Sequence, residues 1–180
     1  MSTTSQSSGD AVIAVDQSVI DRDKAVIARY LDAVGALAVD DIAPLFSPQG
    51  RVVLPYAPAG IPPVIAGREA IDDYYQALPG MAGPMNFAEY RISATETPGE
   101  YVARYTSDSV MLATGKRYAN TYITTVLLEN GEIVELSEYF DPILLVEALG
   151  GTVSMTGGDT EPDHSSPQSS TESSTERGTA

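Results

Sequence analysis

Between Asp21 and Ala38 the apolar residues Val26, Ile27, Tyr30, Leu31, Val34, Leu37 and Ala38 recur at the spacing of one helical face. That stripe predicts a helix across this stretch. Gly35 weakens it by up to about 1 kcal/mol relative to Ala without breaking the pattern. "DDIAPLF" (residues 40–46) reads as a short second helical turn, with acids at its start and Pro44 in its first turn. "GRVVLPY" is a short strand ending at Pro55, and "APAGIPPVIAG" is a loop by composition. A third helix opens at Gly67, runs to about Leu78 and stops at Pro79-Gly80.

Beyond that point the period changes. Residues 86–96, 100–113, 117–129 and 132–140 are rich in β-branched and aromatic side chains, and "TPGE", "TGK" and "ENGE" separate them. Asn130-Gly131 is a strong hairpin signal because both residues tolerate positive φ. Pro142 then starts a short apolar helix ended by Gly150-Gly151. Helices first and a meander of strands afterwards predict an α+β domain. The expected form is a curved antiparallel sheet with three N-terminal helices around a cone-shaped cavity, closed by a short C-terminal helix.

Composition sets the limits of that domain. The segment from Gly151 onward has no aromatic residue, is dominated by Ser, Thr, Gly and Pro, and carries five acids against one base. Such a segment does not bury enough apolar surface to offset the entropy of ordering it. We therefore expect a disordered segment over residues 1–17, a cavity domain over 18–150 and a disordered acidic tail over 151–180. The only His, His164, falls in that tail, and there is no Cys, so His-centred and thiolate chemistry are not expected in the domain.

A net charge of −15, from 25 acids and 10 bases, repels phosphate backbones and argues against a nucleic-acid partner. No run nears the ~18 apolar residues that span a bilayer, and the N-terminal stretch lacks the pattern of a secretory signal. The expectation is a cytoplasmic protein with no membrane partner. Neither a phosphate loop nor a metal-ligating motif is present, so no cofactor and no metal are expected.

The chemistry of interest lies in the last two strands. By parity Tyr118, Asn120, Tyr122, Thr124 and Val126 share one face, and Val134, Leu136 and Glu138 share a face of the next strand. A tight turn between them sets Glu138 opposite Asn120–Tyr122, within a residue or two. A carboxylate in an apolar pocket is pushed toward its neutral form, which suits general acid–base work near neutral pH. Glu138 could instead pair with Arg104 or Arg117, and the tyrosines could be ordinary half-buried sheet aromatics. Asp141, just before Pro142, reads as a helix N-cap. Which way Arg104 and Asp108 face is left open.

The "GREAI" helix start and "YANTYITTVLLENGEIVELSEYFDP" followed by a short helix resemble the SnoaL-like branch of the nuclear-transport-factor-2-like superfamily, over roughly residues 20–150. The ending is most similar to phenazine-biosynthesis proteins and polyketide cyclases. The resemblance implies an apolar cavity, a homodimer formed through the sheet, and a catalytic acid at Glu138. Two positions depart from relatives of this fold. "VVLPY" puts Leu54 and Pro55 where steroid-isomerase-like members carry a proton-abstracting acid, and Tyr74 stands where phenazine-type members carry a His.

Taken together, the reading is a cofactor-independent cyclase or isomerase acting on a hydrophobic, polyketide-like intermediate, by acid–base catalysis or by pericyclic ring closure in an apolar pocket. Glu138, Asn120 and Tyr122 are the candidate catalytic residues; Tyr118, Tyr74, Tyr30, Tyr56 and Met85 are the candidate substrate contacts. The face carrying Ile123, Thr125 and Leu127 is the expected dimer surface. A non-catalytic binding or dimerisation module and an epoxide hydrolase are the alternatives; the latter needs Asp108 or Glu89 beside Glu138.

The domain limits have a direct test. Limited proteolysis is expected to trim residues 1 to about 15 and 152–180 and leave a stable body, with little change in melting temperature when 152–180 is deleted. A large drop would mean that the tail is docked.

Overall fold

The computed structural model describes residues 16–154. The expectations for the two terminal segments fall almost wholly outside these residues. Helix α1 (Gln17–Ala36) starts earlier than its apolar stripe, because the Asp16 carboxylate accepts the Ser18 N–H at 2.9 Å and caps it. It ends at Leu37, which takes the left-handed conformation (φ 57°). The buried stripe includes Ile27, Tyr30, Leu31 and Val34 as predicted, together with Asp23. Tyr101 donates to Asp23 Oδ2 at 3.0 Å and Arg22 to Oδ1 at 2.7 Å, so this buried acid fastens the helix to the sheet.

"DDIAPLF" forms two single 3₁₀ turns, Val39–Asp41 and Ala43–Leu45. Six strands follow: β1 (Phe46–Val53), β2 (Val64–Ala66), β3 (Ala88–Ala94), β4 (Glu100–Val110), β5 (Arg117–Glu129) and β6 (Glu132–Tyr139). Helix α2 (Arg68–Gln76) lies between β2 and β3, and α3 (Pro142–Ala148) comes last. The fold is α+β as predicted, with spatial strand order β2-β1-β6-β5-β4-β3. α1 packs against β3 and β4, α2 against β1 and β2, and α3 against β5.

Three details differ from the reading of the sequence. The sheet is mixed, not wholly antiparallel: β1 lies parallel to β6, while the other four pairs are antiparallel. Parallel neighbours need a long crossover, and the chain between β1 and β6 supplies one. The "APAGIPPVIAG" loop contains β2, whose three residues pair with Arg51–Val53; Pro62-Pro63 beside it hide the strand signal. The third difference bears on the site. A register shift between Leu127 and Leu128 sets Leu128 against Ile133 but Leu127 against Glu135. Val134 is the extra residue of a bulge, so Ile133 is buried in its place, and Leu136 and Glu138 keep the inward face.

Gly99 closes the β3–β4 turn at φ +79°, and a Cβ there would stand 2.5 Å from the Leu128 carbonyl oxygen. Gly99→Ala is therefore expected to destabilise the protein by roughly 2 kcal/mol or more. Denaturant unfolding measures it; an unchanged midpoint would contradict the close approach.

Candidate active site

Inward-facing residues of β5 and β6, together with α1, α2, α3 and the 78–87 segment, enclose a cavity of about 110 Å³. That is space for several waters, or for a small organic group. Its walls are apolar and aromatic, and the exposed Met81 and Leu149 mark its mouth. Among its lining residues Glu138 is the one carboxylate, and no Lys, Arg or His lines it.

Glu138 pairs with Thr124 on β5, two residues beyond the predicted neighbourhood of Asn120–Tyr122. Its Oε2 accepts the Tyr105 hydroxyl at 2.7 Å, and Thr124 Oγ1 lies 2.8 Å behind that hydroxyl. Tyr105 spends its one proton on the carboxylate, so Thr124 is the donor of the second bond. Oε1 has no partner among the described residues and is available to the cavity. The carboxyl lies deep in the fold, and the surface it keeps faces the cavity. Burial raises its pKa from 4.5 to about 7, and the Tyr105 hydrogen bond pulls it back in part.

Glu138 is ringed by phenols. Burial raises the pKa of Tyr30, Tyr74, Tyr75, Tyr105, Tyr118 and Tyr122, and the nearby Glu138 charge raises each further. For Tyr74 and Tyr118 the result is about 12. These hydroxyls stay protonated and act as hydrogen-bond donors. Tyr105 and Tyr122 sit opposite each other on β4 and β5 and stack with centroids 4.9 Å apart and planes 7° apart.

The predicted residues divide into two groups. Glu138, Tyr122, Tyr118, Tyr74, Tyr30 and Met85 all line the cavity. Asn120 and Tyr56 do not. The Asn120 side chain bridges β5 to the start of α3: Oδ1 accepts the Thr121 and Asp141 N–H groups at 2.8 and 3.1 Å, and Nδ2 donates to the Asp141 carbonyl at 2.9 Å. Tyr56 is 57% exposed and meets Tyr139 edge-on, because Tyr139 follows Glu138 and points away from the cavity. Asp141 caps α3 as predicted, accepting the Ile143 N–H at 2.8 Å.

Sequence reasoning missed Tyr105 and Tyr75. Tyr105 shares a face of β4 with buried Tyr101 and Ala103, so that alternation was its signal. Arg104 and Asp108 take the opposite, outward face; Asp108 pairs there with Arg117 at 2.7 Å. Neither arginine reaches Glu138, and the ion-pair alternative for it falls. Arg68 at the start of α2 pairs with Glu132 at 2.8 Å, and its Nε donates to the Phe46 carbonyl.

The family model of the SnoaL-like domain matches residues 27–136, which include the second half of α1 and most of the sheet. The chain belongs to the SnoaL-like domain family. The uncharacterised protein YesE of Bacillus subtilis is 30% identical over 102 residues, covering 57% of this chain and 69% of YesE. Among solved structures, a candidate isomerase from Bacillus subtilis superposes with a TM-score of 0.70 at 23% identity, covering 74% of this chain and 96% of its own. A phenazine biosynthesis-related protein from Pseudomonas aeruginosa gives a TM-score of 0.69 at 18% identity, covering 88% of this chain and 96% of its own. A candidate polyketide cyclase from Xanthomonas campestris gives 0.63 at 14% identity, with coverages of 73% and 98%. At these identities the superpositions establish the SnoaL-like fold. No helix among the described residues is long and apolar enough to cross a membrane.

The raised pKa of Glu138 has a consequence for stability. The folded protein holds this proton more tightly than the unfolded chain, so the parent loses stability as pH rises from about 4.5 through about 7. Gln accepts the Tyr105 hydrogen bond but carries no charge. Glu138→Gln is therefore expected to match the parent near pH 4.5 and to exceed it above pH 7, by up to about 3 kcal/mol. Thermal melts of both proteins at pH 4.5 and pH 8.5 measure the gap; a constant gap would contradict the buried charge.

Proposed function

We propose that this SnoaL-like protein is a cofactor-independent isomerase or cyclase that moves a proton at carbon beside the carbonyl of a hydrophobic, polyketide-like molecule. The observation that carries this reading is the placement of one carboxylate with a free oxygen against open cavity space, inside a ring of neutral phenols. Glu138 Oε1 takes the proton: the C–H bond breaks, an O–H bond forms on Glu138, and the electron pair moves onto the carbonyl oxygen. Return of the proton at another carbon isomerises the molecule. Attack of the enolate carbon on a second carbonyl closes a ring: that carbonyl's π pair moves to its oxygen, which takes the proton back from Glu138, and a cavity that folds the chain into that conformation supplies an entropic contribution. A pKa near 7 suits a group that must both take and return a proton at neutral pH.

Open space in front of Glu138 favours a catalyst over a binding module whose cavity is filled by side chains. The hydrolase alternative lacks support, because Asp108 is paired on the outer face and Glu89 is also outside the cavity lining. The outer face of β5 presents Ile123, 47% exposed, between the half-buried Thr125 and the exposed Thr121. A second copy of the chain seated there is part of the same reading.

2-Tetralone, a compact hydrophobic ketone, tests the chemistry without knowledge of the natural substrate. In D₂O the protein is expected to accelerate loss of the α-proton NMR signals over buffer, with a rate that rises with pH through about 7. Glu138→Gln is expected to lower the enzymatic rate by roughly 10²-fold or more. Equal exchange by parent and variant would remove Glu138 from the mechanism, and exchange no faster than buffer would remove the reading.

A further inference from the structure

The hydroxyl protons along β5 have a forced direction. The Asn120 amide is oriented by its backbone contacts, since Oδ1 faces two N–H donors and a flipped amide would set NH₂ against both. Its Nδ2 carries two hydrogens. One goes to the Asp141 carbonyl and the other to the Tyr118 phenol oxygen at 3.2 Å. The Tyr122 hydroxyl donates to the same oxygen at 2.9 Å and has Ser107 Oγ behind it at 3.4 Å. Ser107 Oγ itself accepts the Asn120 N–H at 3.2 Å, which leaves its own hydrogen for Tyr122.

Both acceptor positions of Tyr118 are thus filled by donors, while its own hydrogen has no partner among the described residues. Tyr118 is buried against the rest of the protein and lines the cavity, so that hydrogen has the cavity to point into. The other phenols are differently engaged. Tyr105 donates to Glu138, and Tyr30 and Tyr75 hold each other at 2.7 Å. Tyr74 lines the cavity, but among the described residues no donor bonds to its oxygen.

We propose that Tyr118 is the donor that holds the developing negative oxygen of a carbonyl substrate, and that Asn120 and Tyr122 are positioning residues that aim it. The inference rests on proton abstraction by Glu138 and names the place where the displaced charge goes. Two donated bonds polarise the Tyr118 O–H, and chained hydrogen bonds strengthen one another. The same two bonds pull the Tyr118 pKa down against the larger upward effect of burial. With no cation on the cavity wall, phenol donors are the side chains left to stabilise an oxyanion. The arrangement also defines the substrate: a neutral ketone or aldehyde whose oxygen reaches β5 while its acidic carbon lies toward β6. A carboxylate or phosphate in its place would meet Glu138 with no countercharge.

4-Nitrophenol tests the inference, because its anion mimics an enolate oxygen and absorbs differently from the neutral form. The measurement is made on Glu138→Gln, where the mimic meets no carboxylate and Glu138 proton transfer plays no part. Bound probe is expected to ionise more readily than free probe. In Glu138→Gln/Tyr118→Phe the bound anion is expected to weaken about tenfold or more, the effect of losing a hydrogen bond to a charged group. Glu138→Gln/Tyr122→Phe removes one donor to Tyr118 and is expected to give a smaller loss, and Glu138→Gln/Tyr139→Phe, whose phenol lies outside the cavity lining, less than twofold. Melting temperatures show which variants fold; should the Tyr118 variant fail, an unchanged probe spectrum in the Tyr122 variant would overturn the proposal. Equal anion binding in the Tyr118 and Tyr139 variants would overturn it too. No binding to any folded variant would remove the cavity as a ligand site, whereas equal exchange of 2-tetralone by Glu138→Gln would remove the base alone.

Discussion

The register between β5 and β6 decides which way Glu138 points. Side chains alternate along a strand, so a shift of one residue sends an entire face from core to solvent. The bulge at Val134 makes that shift: it buries Ile133 beside the hairpin and still leaves Leu136 and Glu138 inward. Without it, an uninterrupted pairing from Asn130-Gly131 would keep Ile133 and Glu138 on opposite faces. A carboxylate in the cavity and a sealed core beneath the turn are compatible only because one residue is left out of the ladder.

Much of this was legible in the sequence. Period-3.6 and period-2 patterns identified α1 and the four long strands, and parity placed Tyr118, Tyr122 and Glu138 on inward faces. What escaped depends on information that no single segment carries. Val64–Ala66 is too short, and too close to Pro62-Pro63, to announce itself as a strand. The parallel β1–β6 pairing belongs to the topology, since both strands look alike in either direction. Tyr105 was hidden because parity says that Tyr105 and Arg104 face opposite ways, without saying which faces inward. Asn120 was read as a group aimed at substrate, but a buried amide surrounded by backbone donors and acceptors satisfies those first.

Glu138 and its phenols divide the electrostatics of the cavity between them. An unpaired buried carboxylate is costly, and a lysine or arginine partner would lower that cost while locking the charge in place. Tyr105 offers a weaker compromise: one donated bond, with Thr124 behind it, keeps the group oriented without fixing its protonation state. The stacked Tyr105–Tyr122 pair joins this half of the site to the β5 half in one aromatic platform.

The bridge made by Asn120 has a consequence for how the cavity could change over time. The same amide that touches Tyr118 also holds the backbone at the start of α3, and the far end of α3 leads to Leu149 at the mouth. The width of the entrance and the aim of the phenol therefore share one mechanical support. A lineage that admitted larger molecules by loosening α3 would disturb the orientation of its own donor. Substitutions at Met81, Met85 and Ile61, which line the cavity from segments outside α3 and β5, avoid that conflict. Methionine adapts its shape at little cost, so Met81 and Met85 let the cavity change shape without touching that support.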